Sequence, residues 1–250
     1  MPEQTSAPSR DDSLNSGLLL ALCRLHALKP DAGTVGITGI DKRPVAGRIP
    51  LHPMGLRADL QADRKHHGGE LKALYAYAQE DAAAWADELG RDIPPGLFGE
   101  NLRTTGVQVS AALVGERWQV GPEVVVEVTM PRIPCATFAR HMGEPRWVKR
   151  FLQKGLSGAY LKVVTAGSLA AGDGIHVLFR PGHGVSVAES SLGLTPEQAQ
   201  ALLASEADGE ITLHGNVRKA VHRALNRELD RGQDSGQGTD RDPNRGRVHA

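Results

Sequence analysis

The 250-residue sequence predicts a mainly β fold, a compact barrel or sandwich with peripheral helices and a small helical extension near the C-terminal end. Two observations carry this prediction. Short runs rich in Val, Ile and Leu fill much of the chain up to Pro181, and turns that use many of the 29 glycines and 15 prolines separate them. Because few of these runs are long, we expect strands to outnumber helices in this region.

Composition divides the chain into four regions. Residues 1–16 and 230–250 are polar and lack periodicity, which predicts disordered tails. Residues 17–182 contain the short apolar runs and are expected to form one barrel domain. Helical patterns dominate beyond Pro181, and residues 183–229 are predicted to form the helical extension.

Alternating or continuous apolar residues indicate the strands. We predict strands at residues 18–28, 43–51, 117–120, 123–130, 159–164 and 174–179. Glycines and prolines lie between several of these segments, as expected for a fold whose strands are joined by tight turns.

Helical spacing of apolar residues indicates the helices. In residues 70–79 and 80–89 we predict two helices, because Leu71, Leu74 and Ala78 recur at this spacing and Gly90 follows as a stop. Two short helices are expected at residues 136–141 and 146–153.

The helical extension begins with a clear start signal. Thr195 is expected to cap a helix whose first residue is Pro196, with Gln198 completing a capping box. A last helix is predicted at residues 217–229, where Val217 and Val221 lie on one face.

Charge and cysteine count exclude several classes of function. Lys+Arg and Asp+Glu number 29 each, so we expect neither a nucleic-acid surface nor a membrane surface. Residues 17–22 are too few to span a bilayer, and Asp11 and Asp12 precede them where a signal peptide would be basic, so we expect a cytoplasmic protein. Two cysteines cannot form a disulfide framework or a four-cysteine cluster site.

Four loop segments are unusual in residue type: DRKHHGG at 63–69, GLFGENL at 96–102, PRIPC at 131–135 and GLSGAY at 155–160. The first could bind an anion, or its glycines could simply start a helix beside solvated charges. In the second, backbone N–H groups and the Asn101 amide could bind a phosphate or a ring edge, or the segment could be only a tight turn.

The third segment contains the more interesting cysteine. Pro131 and Pro134 fix an extended approach to Cys135, and a following helix and Arg132 favour its thiolate form. A lone cysteine is more often a small buried hydrophobic residue, and Cys23, on an apolar strand, fits that description better.

Together these segments resemble the MOSC domain, named for the C-terminal domain of molybdenum-cofactor sulfurase, and most closely its stand-alone bacterial YiiM-like branch. The resemblance rests on DRKHHGG, FGENL at 98–102, PRIPC, GAYLKVV at 158–164 and AGD at 171–173, and it covers about residues 42–180. One departure is Ala58-Asp59, where the family usually has Gly-Asp.

The resemblance implies a MOSC-type β-barrel that holds a molybdenum cofactor of the molybdopterin type. It assigns Cys135 as the ligand of molybdenum and as a catalytic residue. The implied cofactor contacts are Lys65, His66, His67, Asn101 and Arg132, and either histidine could also deliver a proton in catalysis.

Family members that this chain resembles reduce N-hydroxylated compounds such as hydroxylaminopurine-type bases, amidoximes and hydroxylamines, a form of detoxification. Electrons would come from a separate flavin or iron–sulfur protein, since the chain has too few cysteines for its own cluster. The alternative is a sulfur carrier or a cofactor-delivery module without turnover, in which pyridoxal phosphate would belong to a partner sulfurase. Two copies of the chain could also form a homodimer.

Overall fold

A closed barrel of seven strands forms the centre of the molecule, whose computed structural model describes residues 15–61 and 68–236, with side chains to residue 227. The strands are β1 (Ser16–Pro30), β2 (Ile37–Pro44), β3 (Ile49–His52), β4 (Gly55–Leu56), β5 (Leu74–Ala78), β6 (Leu102–Thr105), β7 (Arg117–Val120), β8 (Val124–Pro131), β9 (Ala159–Thr165), β10 (Gly167–Leu169) and β11 (Gly174–Phe179). The barrel follows the order β1-β11-β7-β8-β9-β5-β6 and closes on β1.

Strand β1 belongs to two structures at once. Its first residues pair with β11 and β6 in the barrel, whereas its second half, from Cys23 to Pro30, pairs with β2. Two register shifts near Ala27 accompany this change of partner. The β1–β2 hairpin therefore extends beyond the barrel, and β3, β4 and β10 form a small separate sheet.

The helices are α1 (Gln79–Leu89), α2 (Ala136–Met142), α3 (Trp147–Lys154), α4 (Val187–Leu192), α5 (Pro196–Ala207) and α6 (Gly215–Gly236). The capping box of Thr195 and Gln198 is confirmed at the start of α5, with Pro196 in the first turn. None of the helices in the described residues is long and apolar enough to cross a membrane.

Two hydrophobic clusters hold the fold together. The larger fills the barrel and extends to Leu202, Val217 and Val221 of the C-terminal helices, which bury their apolar faces against the barrel. The smaller cluster is aromatic and lies under α1, α2 and α3. Its centre is Phe98, whose ring lies 5.6 Å from that of Phe138.

The predicted mainly β barrel with peripheral helices is confirmed. Strands lie where they were predicted at residues 117–120 and 174–179, and near the predicted bounds at 18–28, 123–130 and 159–164. The helix predicted at 80–89 and the two short helices after Cys135 are also present. Helix α6 runs to Gly236, beyond its predicted end at residue 229, while residues 1–14 and 237–250 of the predicted tails lie outside the described residues.

Two predictions were wrong. Residues 70–79 contain a 3-10 turn at Glu70–Lys72 and strand β5, not a helix. All five residues of β5 are buried between β9 and β6, and a short apolar run buried on both faces has no pattern that distinguishes strand from helix. The segment 43–51 is the end of β2 followed by β3, because the chain turns through Gly47 at a φ of 78°.

The start of β9 gives a test of how closely the barrel packs. Gly158 and Gly90 share a φ of 61°, but a Cβ at Gly158 would lie 2.6 Å from the Ala76 carbonyl oxygen, whereas a Cβ at Gly90 meets nothing within 4 Å. We expect Gly158→Ala to lower the free energy of unfolding by about 2–4 kcal/mol, from left-handed backbone strain plus overpacking. Gly90→Ala carries only the strain, about 1 kcal/mol. Urea unfolding of both variants measures the difference, and equal losses would contradict it.

Candidate functional site

A cavity of about 330 Å³ lies between the β1–β2 hairpin, one end of the barrel and the start of α2. Three polar or reactive side chains that the sequence singled out form part of its wall: Asn101, Arg132 and Cys135. The hairpin contributes most of the apolar wall, including Val35, Ile37 and Ile40. The cavity therefore joins a polar floor to an apolar cover, a combination typical of small-molecule sites.

Arg132 is a buried cation that faces the cavity. Arg132 directly follows Pro131, the last residue of β8, and only 7% of its surface is exposed. The guanidinium donates a hydrogen bond of 2.6 Å to the carbonyl oxygen of Phe98 and lies 4.0 Å from the ring centroid of Phe138 and 5.0 Å from that of Tyr75. These contacts fix the cation in place through one carbonyl and two aromatic rings.

Cys135 is half-buried in the cavity wall, directly before α2. Its carbonyl oxygen accepts the first hydrogen bond of that helix, from the Ala139 N–H at 3.0 Å. The other cysteine, Cys23, is wholly buried in β1, and burial, reinforced by the charge of Glu100, raises its pKa to about 12. The two thiols thus differ as the sequence predicts, one reachable from a cavity and one held neutral in the core.

Asn101 binds three separate segments with one side chain. Its amide nitrogen donates to the Cys23 carbonyl oxygen at 3.1 Å and to Asp59 at 2.8 Å, and its amide oxygen accepts from the Tyr75 N–H at 3.2 Å. Both amide donors are therefore engaged within the protein. Asn101 lines the cavity, but its present contacts hold the wall together.

Asp59 and Lys42 form an ion pair on the same wall, each with little exposed side-chain area. Asp59 also accepts a 2.8 Å hydrogen bond from the backbone N–H of Leu25. The residue before it, Ala58, has a φ of 62°, the left-handed conformation that glycine adopts most easily. The Ala58-Asp59 departure noted in the sequence is therefore a point of backbone strain that positions Asp59.

The tip of the hairpin is fastened to α2. Asp31 accepts hydrogen bonds from the Thr137 hydroxyl at 2.9 Å and from two guanidinium nitrogens of Arg140 at 2.9 and 2.8 Å. The bond from Arg140, with help from Thr137, lowers the pKa of Asp31 to about 2. The carboxylate stays ionised at all ordinary pH values, so this contact holds the hairpin over the cavity.

Tyr160 completes the wall from strand β9. Burial raises the pKa of its phenol; the nearby Arg132 opposes this shift and Cys135 adds to it. The hydroxyl is thus protonated at neutral pH, and it lies close enough to the Cys135 thiol and the Arg132 guanidinium for their charges to affect its pKa.

Gly99 lies beside Arg132 in the cavity wall. It has a φ of 74°, and a Cβ at this position would lie 3.7 Å from Nη1 of Arg132 and 3.0 Å from a side-chain carbon of Ile40. A Cβ here would be tight against Ile40 and in ordinary van der Waals contact with the guanidinium. The glycine therefore lets Ile40 and Arg132 pack closely at this point of the wall.

The structure brings together some of the residues that the sequence proposed. Cys135, Arg132 and Asn101 share the cavity wall, whereas Lys65, His66 and His67 lie outside the described residues. Sequence analysis missed Lys42, Asp59 and Tyr160 as site residues. Tyr160 belongs to the GLSGAY segment already noted, but Lys42 lies in a strand and carried no signal of its own.

The chain is similar to a known domain family and to known proteins. The model of the MOSC domain matches residues 63–176. YflK from Bacillus subtilis (strain 168) is 34% identical over 150 residues, which are 60% of this chain and 67% of YflK. A protein named reductase from Gibberella moniliformis (strain M3125 / FGSC 7600) is 32% identical over 172 residues, which are 66% of this chain but only 30% of that protein.

The fold is also found in a solved structure. The crystal structure of YiiM from Geobacillus stearothermophilus has a TM-score of 0.64 and 25% sequence identity, covering 84% of this chain and 99% of that one.

The different burial of the two thiols can be measured directly. We expect one cysteine of the folded protein, Cys135, to react rapidly with Ellman's reagent at pH 8, and Cys23 to react only after unfolding in guanidinium chloride, because its thiol is buried and its pKa is about 12. Cys135→Ser should remove the fast reaction and Cys23→Ser should leave it. Fast loss of both thiols in the folded wild type would contradict the assignment.

Strain at Ala58 predicts a stabilising substitution. Ala58→Gly should raise the free energy of unfolding by about 0.5–1 kcal/mol, since relief of the left-handed backbone exceeds the entropy that glycine adds to the unfolded chain. Ala83→Gly, on an exposed position of α1, is the matched control and should lower it by about 1 kcal/mol. Thermal and urea unfolding distinguish the two signs; destabilisation by both would show that Ala58 is unstrained.

Proposed function

The chain belongs to the MOSC domain family, and on that basis we propose that it binds a molybdenum cofactor of the molybdopterin type in the cavity and reduces N-hydroxylated compounds. MOSC domains are generally associated with this cofactor. One observation carries the proposal: the segment PRIPC places the thiol of Cys135 and the buried guanidinium of Arg132 on the wall of one cavity.

The donor chemistry of the cavity fits such a group. Cys135 offers a soft thiolate, the ligand type that binds a metal of this kind strongly. Arg132 offers a cation to the anionic phosphate of the pterin, while Lys42 on the same wall is paired with Asp59. Cys135 would hold the metal, and Lys65, His66 and His67 are proposed as further cofactor contacts, although they lie outside the described residues.

When bound, the cofactor would supply the redox chemistry that removes oxygen from nitrogen. The reduction R–NHOH + 2e⁻ + 2H⁺ → R–NH₂ + H₂O breaks one N–O bond, consumes two electrons and two protons, and releases water. The apolar hairpin residues Val35 and Ile37 line the cavity and would lie beside the reacting group.

The protons must come from the chain or from solvent. Tyr160 lines the cavity and its phenol is protonated at neutral pH, so we propose it as a hydrogen-bond donor to the leaving oxygen. His66 or His67 is proposed to resupply the proton, since histidine commonly acts as a general acid. Asn101 acts as a positioning residue, because its side chain fixes Asp59 and strand β5.

We propose small N-hydroxylated bases, amidoximes and hydroxylamines as substrates, with detoxification in the cytoplasm as the setting. Electrons are proposed to arrive from a separate flavin or iron–sulfur protein, because the two cysteines of this chain cannot ligate a cluster. The name of the reductase relative supports an oxidoreductase, although that alignment covers 30% of the relative.

The first test is the metal content of the protein from a host that makes the cofactor. We expect near-stoichiometric molybdenum in the wild type and in Cys23→Ala, and at least a tenfold loss in Cys135→Ala, because only that change removes the thiolate. Elemental analysis measures this, and circular dichroism confirms that each variant is folded.

Turnover of 6-hydroxylaminopurine with dithionite-reduced methyl viologen then separates the alternatives. Molybdenum together with turnover supports the reductase. Molybdenum without turnover would favour a cofactor-delivery module, and a folded wild type without molybdenum would overturn the proposal. Full metal content in Cys135→Ala would show that another group holds the metal.

A further inference from the structure

A second groove borders the PRIPC segment and shares no lining residue with the cavity. It has a volume of about 450 Å³ and is formed by the end of β8, the end of α4 and the first turns of α6. Its lining includes the apolar residue Ile133 and three residues of basic type, Lys219, His222 and Arg223. We call this surface the basic groove.

The basic groove and the cavity share one short stretch of backbone. Arg132 and Cys135 contribute to the cavity, while Ile133 lines the groove and is 43% exposed. Ile133 and Cys135 are two positions apart in the chain, so their Cα atoms are at most about 7 Å apart. A molecule in the groove would therefore lie next to the segment that carries the reactive thiol.

Charge is segregated on this surface. The chain as a whole has as many acidic as basic residues, yet residues 211–227 contain no Asp or Glu. In the part of α6 whose side chains the structure describes, to Arg227, the exposed side chains are Arg218, Lys219, His222, Arg223, Asn226 and Arg227. Arg218 is engaged with Glu206 at 2.7 Å, and Lys219 and Arg223 line the groove. Up to Arg227, the exposed face of α6 therefore carries Lys and Arg side chains and no carboxylate.

Apolar surface accompanies these charges. Ile133 lies in the groove, and Leu192, which is 58% exposed, follows the groove residues Ser190 and Ser191 at the end of α4. A protein interface typically combines an apolar centre with a charged rim, whereas a nucleic-acid surface depends on cations and on net positive charge. This combination favours a protein whose contact surface is acidic.

We propose that the basic groove is the docking surface for a small acidic electron-transfer protein of the ferredoxin or flavodoxin class. The inference rests on the proposed reductase function, which needs two electrons for each N–O bond broken. A ferredoxin supplies them as two successive one-electron transfers, each oxidising one reduced donor, while solvent supplies the two protons. Electrostatic attraction between the groove and an acidic donor would set the rate and orientation of docking.

The test compares two charge reversals of equal size in the full-length protein. Lys219→Glu/Arg223→Glu alters the groove, and Arg57→Glu/Arg146→Glu alters exposed cations outside it. Binding of an oxidised acidic [2Fe–2S] ferredoxin and of an oxidised flavodoxin is measured by calorimetry at low and high salt. We expect at least one donor to bind the wild type, and the groove variant to bind it about tenfold or more weakly than both the wild type and the control.

Turnover distinguishes failure of this inference from failure of the proposed function. With methyl viologen as donor the groove variant should match the wild type, while with the reduced protein donor its rate should fall about tenfold. No binding by either donor, or equal weakening in groove variant and control, would overturn the docking surface. If wild-type self-association or binding of a DNA duplex is instead lost in the groove variant, the groove serves that partner and the inference is wrong. Absence of turnover with methyl viologen tests only the reductase proposal.

Discussion

The site depends most on the hydrogen bonds made by the side chain of Asn101. It bonds to the backbone of β1, to the backbone of β5 and to the Asp59 carboxylate, and its own backbone bonds to the same two strands through Cys23 and Tyr75 at 2.7 Å each. This point lies where β1 leaves the barrel for its hairpin with β2. Because the amide is buried, losing it would leave unpaired polar groups in three segments at once. The polar wall of the cavity therefore keeps its shape only while this residue is in place.

A short segment, Pro131 to Cys135, contributes to both the cavity and the groove. Prolines at 131 and 134 restrict the backbone between β8 and α2, and Arg132 and Cys135 line the cavity while Ile133 lines the outer groove. The aromatic cluster around Phe98 and Phe138 supports Arg132 from below. Cofactor binding and electron delivery, as proposed, would thus both involve the same five residues.

Much of the candidate site could be predicted from the residues, but not all of it. The contrast between Cys23 and Cys135 follows from local sequence, since one lies in an apolar strand and the other follows two prolines. The roles of Lys42 and Asp59 do not, because their ion pair joins a strand to a loop 17 residues later and neither segment has a distinctive pattern. The role of Tyr160 could be recognised only from the barrel, because the pairing of β9 with β5 brings its phenol near Arg132 and Cys135.

The sequence by itself determined the features that local physics controls: the turns at glycine and proline, the strands with clear alternation at 117–120 and 174–179, and the capping box of α5. Tertiary structure decided the rest. Residues 74–78 fit a helical pattern, yet they form a strand because hydrogen bonds to β6 and β9 and burial on both faces outweigh local preference. The cavity likewise arises from contacts between distant segments, such as Asp31 with Arg140, whose energy no local pattern encodes.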